Sequence, residues 1–208
     1  MSPSCVVDTV ILLYFLLAGE ADLLLDTVGS PLGTPRVVFD PDEGDVPATA
    51  RSEITRSIAY HERAATDPAR DAAARDLAAA NTKRLRVIAE LHRARHLEVI
   101  DLASTELEIF GTLTSQSGCG AYGLRFPLGY GEAACLAIAL VQNLPLATDD
   151  RDALRALHHE SRQPSVPADP QTLDPCRRTG EDQPDPGQCG TPTHDRPRLL
   201  GQAAPVSR

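Results

Sequence analysis

The chain opens with two apolar segments that differ in length and pattern. Val6 and Val7 are β-branched and precede a carboxylate, so Cys5 to Asp8 is predicted to be a buried strand that ends on Asp8. Val10 to Leu25 is apolar over helical length, with an interruption around Gly19. We expect this segment to be a core helix beside the sheet, buried over most of its surface.

The next segments alternate between turn-forming and helix-forming composition. Four prolines between Ser30 and Pro47 predict a loop that encloses one short strand at Arg36 to Phe39. Ala48 to Glu62 is predicted to be helical. Pro68 to His96 is rich in Ala, Arg and Asp, which predicts a long, exposed helical insertion. It either covers a functional site, extends a dimer surface or is merely solvated, and the sequence slightly favours the last interpretation.

The second half repeats the alternation of strands and helices. Glu132 to Gln142 carries apolar residues at the i, i+3, i+4, i+7 spacing of one helix face, with Glu132 in the first turn. The other predicted elements are a strand at Leu97 to Leu102, a helix from Ser104, a loop from Thr114 to Gly131, a strand at Leu144 to Thr148 and a helix at Arg151 to His159. This order predicts an α/β protein with three layers, in which a central, mostly parallel sheet lies between two layers of helices.

The composition changes after His159. Residues 161–208 hold nine of the seventeen prolines and have almost no apolar periodicity. We therefore predict one folded domain over residues 1–159 and a disordered, Pro-rich tail over 160–208, because such a segment buries too little surface to offset its ordering entropy. A second explanation of the tail, which stays open, is translation in a shifted reading frame.

Charge and cysteine content narrow the function classes. A net charge of −9 argues against sequence-blind attraction to phosphate backbones, which depends on Lys and Arg clusters. The five cysteines form no CxxC pair and no Cys/His spacing typical of zinc sites, so a reducing cytoplasm is the expected compartment. The apolar run at Val10 to Leu17 is too short to span a bilayer and lacks the flanks of a signal peptide, so we expect no membrane association.

Carboxylates occur where the predicted strands end and where one helix begins. Asp8 follows the first strand, Asp149 and Asp150 follow the last, and Glu132 opens a helix. In a parallel sheet these positions meet at one edge, where ligands collect. Clustered carboxylates repel one another unless a cation is present, and hard oxygen ligands suit Mg²⁺ or Mn²⁺. On spacing alone, the alternative that these acids are solvated turn residues is the stronger one.

Four segments resemble the ordered acidic motifs of the PIN-domain nuclease family, which includes VapC-type toxins. They are VVDTVILLYFL, SEITRSI, LGYGEAACLAIAL and LATDDRDALRAL. The resemblance covers residues 5 to 157. It matches Asp8 to the acid at the end of the first strand, Glu53 to a helical acid, Glu132 to the third acid and Asp150, with Thr148 beside it, to the fourth. Glu43, Asp45 and Glu62 are rivals for the second position.

The resemblance implies a function and partners. It implies hydrolysis of RNA phosphodiesters with Mg²⁺ or Mn²⁺, catalysed at Asp8, Glu53, Glu132 and Asp150. The metal ligands are then expected to be Asp8, Glu132, Asp149 and Asp150. It also implies a type II toxin that is inhibited by a small cognate antitoxin, and we expect a homodimer.

Other interpretations stay open. Two features favour a non-catalytic PIN-like binding module. Two places after the first Asp, where many family members carry Ser or Asn, this chain has Val10, with Thr9 as a possible substitute. The Pro-rich tail also begins where the family continues with another strand and helices, so the altered C-terminus could disable the site. Val10 also disfavours a phosphatase-like hydrolase that would use Asp8 as a nucleophile, since a DxD pair is missing. The remaining ambiguous residues are Thr148 (ligand support or plain strand residue), Asp152 (site acid or helix cap) and Arg51 and Arg56 (phosphate steering or solvated arginines).

Overall fold

The structure is a computed structural model that describes residues 2–43 and 50–162. Its strands are β1 (Cys5–Val7), β2 (Leu32–Pro35), β3 (Leu97–Ile100) and β4 (Leu146–Ala147). Its α-helices are α1 (Thr9–Ala18), α2 (Ala21–Val28), α3 (Glu53–Thr66), α4 (Ala72–Leu85), α5 (Val87–Arg93), α6 (Ser104–Thr114), α7 (Tyr130–Gln142) and α8 (Arg151–Arg162), and a 3-10 helix spans Cys119–Tyr122. All described residues belong to one compact unit.

The four strands form one parallel sheet in the order β3-β2-β1-β4. Strand β1 is wholly buried at the centre, as the run of β-branched residues predicted. The predicted α/β class and parallel sheet are therefore confirmed, and the helices are compatible with a three-layer arrangement. Among the described residues, no helix has the length and apolar character needed to cross a bilayer.

Helix α7 joins two regions of the core. Its residues from Ala133 to Ala139 are all buried. Cys135 and Ile138 pack into the main core with the strands and helices α1 to α5, whereas Leu136 packs into a second cluster with residues of α6, α8 and the intervening loop. A helix buried on nearly all sides holds its first turn firmly, and that first turn carries Glu132.

The strand predicted at Arg36 to Phe39 was wrong. Residues 36–38 form a turn, and the strand lies at Leu32–Pro35, inside the segment predicted as loop. Gly33 lies within this strand, and a Cβ atom there would lie 2.7 Å from Cδ1 of Ile100. The glycine thus permits close packing between β2 and β3 that its low strand propensity does not indicate.

Two helix predictions also need correction. The predicted single helix at Pro68 to His96 is two helices, divided at Arg86, and it is not simply exposed: α4 packs against α3 and α1, and Leu85 and Ile88 are buried. The segment from Val10 to Leu25 is α1 and most of α2, but it is not buried on most of its surface. Tyr14 is 60% exposed.

The remaining predicted helices and strands are present, but some boundaries differ: α3 spans Glu53–Thr66 where Ala48 to Glu62 was predicted, and β4 spans Leu146–Ala147 where Leu144 to Thr148 was predicted. Helix α6 begins at the predicted Ser104, and α3 begins at Glu53 within the predicted helical segment. Helix α8 continues to Arg162, three residues beyond the predicted end of the domain at His159. The rest of the predicted tail, residues 163–208, lies outside the described residues, as does residue Asp45.

Candidate acidic site at the edge of the parallel sheet

The strand order reverses at β1, so the carboxyl ends of β1 and β4 lie side by side. From β1 the chain moves to its neighbour β2 and then β3, and it returns later to place β4 on the opposite side of β1. Open parallel sheets bind ligands where strand order reverses in this way. Asp8 directly follows β1, and Thr148 directly follows β4. The two predicted motifs therefore meet at this reversal point.

Asp8 is 2% exposed and is held in a defined orientation. Its Oδ1 atom accepts a hydrogen bond of 2.9 Å from the backbone N–H of Ile11, which makes Asp8 the N-terminal cap of α1. Its Oδ2 atom accepts a hydrogen bond from the Thr148 hydroxyl. Burial raises the pKa of Asp8, and these two hydrogen bonds oppose that rise while the nearby charge of Asp149 adds to it.

Thr148 connects Asp8 to Asp150. Its hydroxyl also accepts a hydrogen bond of 3.0 Å from the backbone N–H of Asp150. Asp150 Oδ1 in turn accepts from the backbone N–H groups of Asp152 and Ala153, each at 2.7 Å, and so caps α8. Thr148 is therefore more than a plain strand residue, and the helix-cap role considered for Asp152 belongs to Asp150.

Glu53 joins the site through the first turn of α3. It accepts a hydrogen bond from the Thr9 hydroxyl, and Arg56 lies 3.9 Å from its Oε1 atom. Of its rivals, Glu62 pairs with Arg86 at 2.5 Å and Glu43 lines a separate cavity, whereas Asp45 lies outside the described residues. The choice of Glu53 from among its neighbours therefore agrees with the contacts in the structure.

Glu132 completes the group. Its carboxylate lies against Gly129, while the Glu53 carboxylate lies so near Gly131 that a Cβ atom there would be 2.7 Å from Oε2. Burial raises the pKa of Glu132, and the charges of Glu53, Asp150 and Asp8 raise it further. We refer to Asp8, Glu53, Glu132 and Asp150 as the acidic site.

Helix termini offset part of the repulsion within the acidic site. Helices α1, α3, α7 and α8 all begin there, and each carries one of the four acids as its cap or in its first turn. The N-terminal end of a helix has a partial positive charge that stabilises a nearby carboxylate. This arrangement explains how one fold can gather four acids without a basic residue at its centre.

Cys135 lies beneath the site and was not among the predicted residues. Its Sγ atom is 3.7 Å from the carbonyl oxygen of Val7. Complete burial raises the pKa of this thiol well above its usual value, and Asp8, Glu53 and Glu132 raise it further. The thiol therefore stays neutral. Its position one helical turn after Glu132 was the only signal in the sequence.

The predicted metal ligands are brought together to different degrees. Asp8, Glu132 and Asp150 share the acidic site, whereas Asp149 is exposed at its rim and acts on Asp8 through its charge. In residues 2–43 and 50–162, no group of three or more His, Cys, Asp or Glu side chains is arranged to hold a metal ion. The donor types still fit Mg²⁺ or Mn²⁺, since they are carboxylates and a hydroxyl without imidazole or available thiolate.

Comparisons with protein-family models, curated proteins and solved structures gave no match. The resemblance to PIN-domain nucleases therefore remains a prediction that depends on the motifs and on the geometry of the acidic site.

Proposed function

We propose that this chain has a PIN-like fold and is a Mg²⁺- or Mn²⁺-dependent endoribonuclease, the toxin of a type II toxin-antitoxin pair. The supporting observation is the convergence of Asp8, Glu53, Glu132 and Asp150 at the reversal point of the sheet, with Thr148 linking the two strands. A cytoplasmic location, a small antitoxin partner and a homodimer belong to the same proposal.

Asp8, Glu132 and Asp150 are the residues that would hold the cation, with Asp149 at the rim. When bound, such an ion activates water for attack on a phosphodiester and stabilises the leaving oxygen. The protein's own groups position the reaction. Thr148 fixes the Asp8 carboxylate, and Thr9 fixes the Glu53 carboxylate. Thr9 thereby supplies polar support next to position 10, where the chain has an apolar valine.

Two groups at the site can assist RNA hydrolysis in different ways. Burial and the charges of Glu53, Asp150 and Asp8 raise the pKa of Glu132, and a cation bound between these carboxylates would relieve that repulsion. Arg56, beside Glu53, is half exposed and supplies positive charge toward which a phosphate can move.

A non-catalytic PIN-like module that binds RNA is the second candidate. Both oxygens of Asp8 and one oxygen of Asp150 already accept hydrogen bonds from the protein, which favours a closed acidic site over an open ligand set. Both candidates bind RNA, and they differ in whether the RNA is cut.

The test uses purified full-length protein, mixed single-stranded RNA and Mn²⁺. We expect cleavage that EDTA and Asp8→Asn both abolish. Glu53→Gln and Glu62→Gln form a matched pair on one helix, and only the first should impair cleavage. Cleavage that persists in EDTA would disprove the metal mechanism, whereas tight RNA binding without cleavage would favour the non-catalytic module.

A further inference from the structure

Aromatic residues are concentrated in the segment that leads into α7. The chain has four tyrosines, four phenylalanines and no tryptophan, and four of these aromatic residues fall between residues 110 and 130. Two of the four, Phe126 and Tyr130, are 66% and 65% exposed. In a chain with so few aromatic side chains, two exposed rings four residues apart indicate a binding surface.

Tyr130 adjoins the acidic site. It is the first residue of α7 and stands between two glycines that border the acids. The Glu132 carboxylate lies against Gly129, and a Cβ atom at Gly131 would be 2.7 Å from Oε2 of Glu53. Because residues two positions apart on a helix do not face each other, the ring of Tyr130 lies outside the acidic site, next to Glu132 along the chain. A strand bound at the acids therefore meets the ring with a neighbouring nucleotide.

The Tyr130 ring is supported from the side of α6. Its centroid lies 5.8 Å from that of Phe110, with an angle of 36° between the two ring planes. Phe110 itself packs against the second core cluster. The approach to α7 is fixed as well, since Leu128 is buried and its backbone N–H donates to the carbonyl oxygen of Leu113 at 3.1 Å. A ring held in this way offers a flat surface that loses little conformational entropy when a ligand binds.

Arg125 supplies a positive charge on the same loop. It precedes Phe126, is exposed and forms no ion pair with another residue among 2–43 and 50–162. Its guanidinium is therefore available to a phosphate group. Aromatic rings that stack on bases, together with cations that contact the backbone, are the groups by which proteins bind single-stranded nucleic acid.

We propose that Tyr130 stacks on an unpaired base of an RNA strand bound at the acidic site, with Arg125 on a phosphate of the same strand. The proposal rests on the proposed function for its ligand, RNA. Stacking on a side chain needs a base whose flat face is free, and bases inside a duplex are already stacked on their neighbours. All four bases have such a face. The ring therefore selects single-stranded RNA over duplex RNA and does not select one base.

Fluorescence anisotropy of the full chain with labelled RNA, in EDTA and at low salt, tests stacking without cleavage. Three ligands are compared: a single strand of mixed sequence, its duplex, and a ribose-phosphate strand of equal length without bases. We expect the single strand to bind most tightly. Tyr130→Ala should weaken that binding about 10-fold, as loss of one stacked base implies, and leave binding of the strand without bases unchanged. Tyr130→Phe keeps the ring and should retain the affinity, as should Tyr14→Ala, a control at a tyrosine on α1 that is 60% exposed.

Arg125→Ala tests the phosphate contact independently of the ring. It should weaken binding of the strands with and without bases alike and make binding less dependent on salt. Unchanged RNA affinity in Tyr130→Ala would overturn the inference, and a loss of self-association in that variant would assign the ring to a contact between copies of the chain. RNA cleavage in Mn²⁺ by a protein whose RNA binding is independent of Tyr130 would refute this inference alone. Base-dependent binding through Tyr130 by a protein that never cleaves RNA would refute the proposed ribonuclease activity alone.

Discussion

Thr148 donates a hydrogen bond from its hydroxyl to Asp8, a residue 140 positions earlier in the chain. The same hydroxyl accepts from the Asp150 backbone at 3.0 Å. One side chain therefore sets the positions of two acids that follow neighbouring parallel strands, which makes it a positioning residue for the acidic site.

Replacing Thr148 with valine should impair cleavage with little loss of folding. Valine keeps the β-branched shape but removes both hydrogen bonds, so the rate of RNA cleavage should fall by about 10- to 100-fold, as for other residues that orient metal ligands. Thr148→Ser keeps the hydroxyl and should restore most of the activity. If the valine variant cleaves RNA at the wild-type rate, the positioning role is incorrect.

Gly131→Ala should displace the Glu53 carboxylate. The added Cβ atom would lie 2.7 Å from Glu53 Oε2, so the side chain must move away from the acidic site. We expect a reduced cleavage rate while circular dichroism still shows the native helix content. Gly111→Ala is the matched control, since it is also within a helix and its Cβ would meet nothing within 4 Å.

Glu132→Gln should make the protein more stable at neutral pH while it impairs cleavage. The pKa of Glu132 is raised in the folded state by burial and by the neighbouring acids, so the folded protein binds this proton more tightly than the unfolded chain. The contribution of Glu132 to the free energy of unfolding therefore falls as the pH rises from 4.5, the usual pKa of this side chain, through its raised pKa in the folded protein. Urea titrations at several pH values, in EDTA, should show a larger loss in wild type than in the variant, which keeps only the raised pKa of Asp8.

Asp101 provides a control of opposite sign for the Glu132 experiment. Its hydrogen bond from Arg36 lowers its pKa, so its small stabilising effect is present above the usual value of 3.8 and is lost as pH falls through the lowered value. Asp101→Asn should not stabilise the protein at neutral pH. A stability gain in both variants would indicate a general effect of net charge and not of the acidic site.

Mn²⁺ should raise the melting temperature of the wild-type protein. A ligand that binds only the folded state at 100 times its Kd stabilises it by about 2.7 kcal/mol. Differential scanning fluorimetry should show this shift with Mn²⁺ and its reversal with EDTA. The Asp8→Asn variant should show a much smaller shift, and an equal shift in both proteins would place the bound metal elsewhere.

Local pattern predicted the elements that carry the acids. The β-branched pair before Asp8 indicated β1, and the apolar spacing after Glu132 indicated α7, because each signal is contained in one continuous segment. The same reasoning failed at Val37 and Val38. These residues look like strand formers, but their carbonyl oxygens accept from Glu53 and Ile54 and so anchor the start of α3.

The sequence by itself determined where the strands and helices that carry Asp8, Glu132 and Asp150 lie, because strand ends and helix starts are local features, and it predicted that these three acids can meet at one edge of a parallel sheet. Only the tertiary structure distinguished Glu53 from Glu43 and Glu62, placed Cys135 beneath the acids and gave Thr148 its two hydrogen bonds. Those relationships join residues far apart in the chain, and they depend on strand order and packing, which no local pattern encodes.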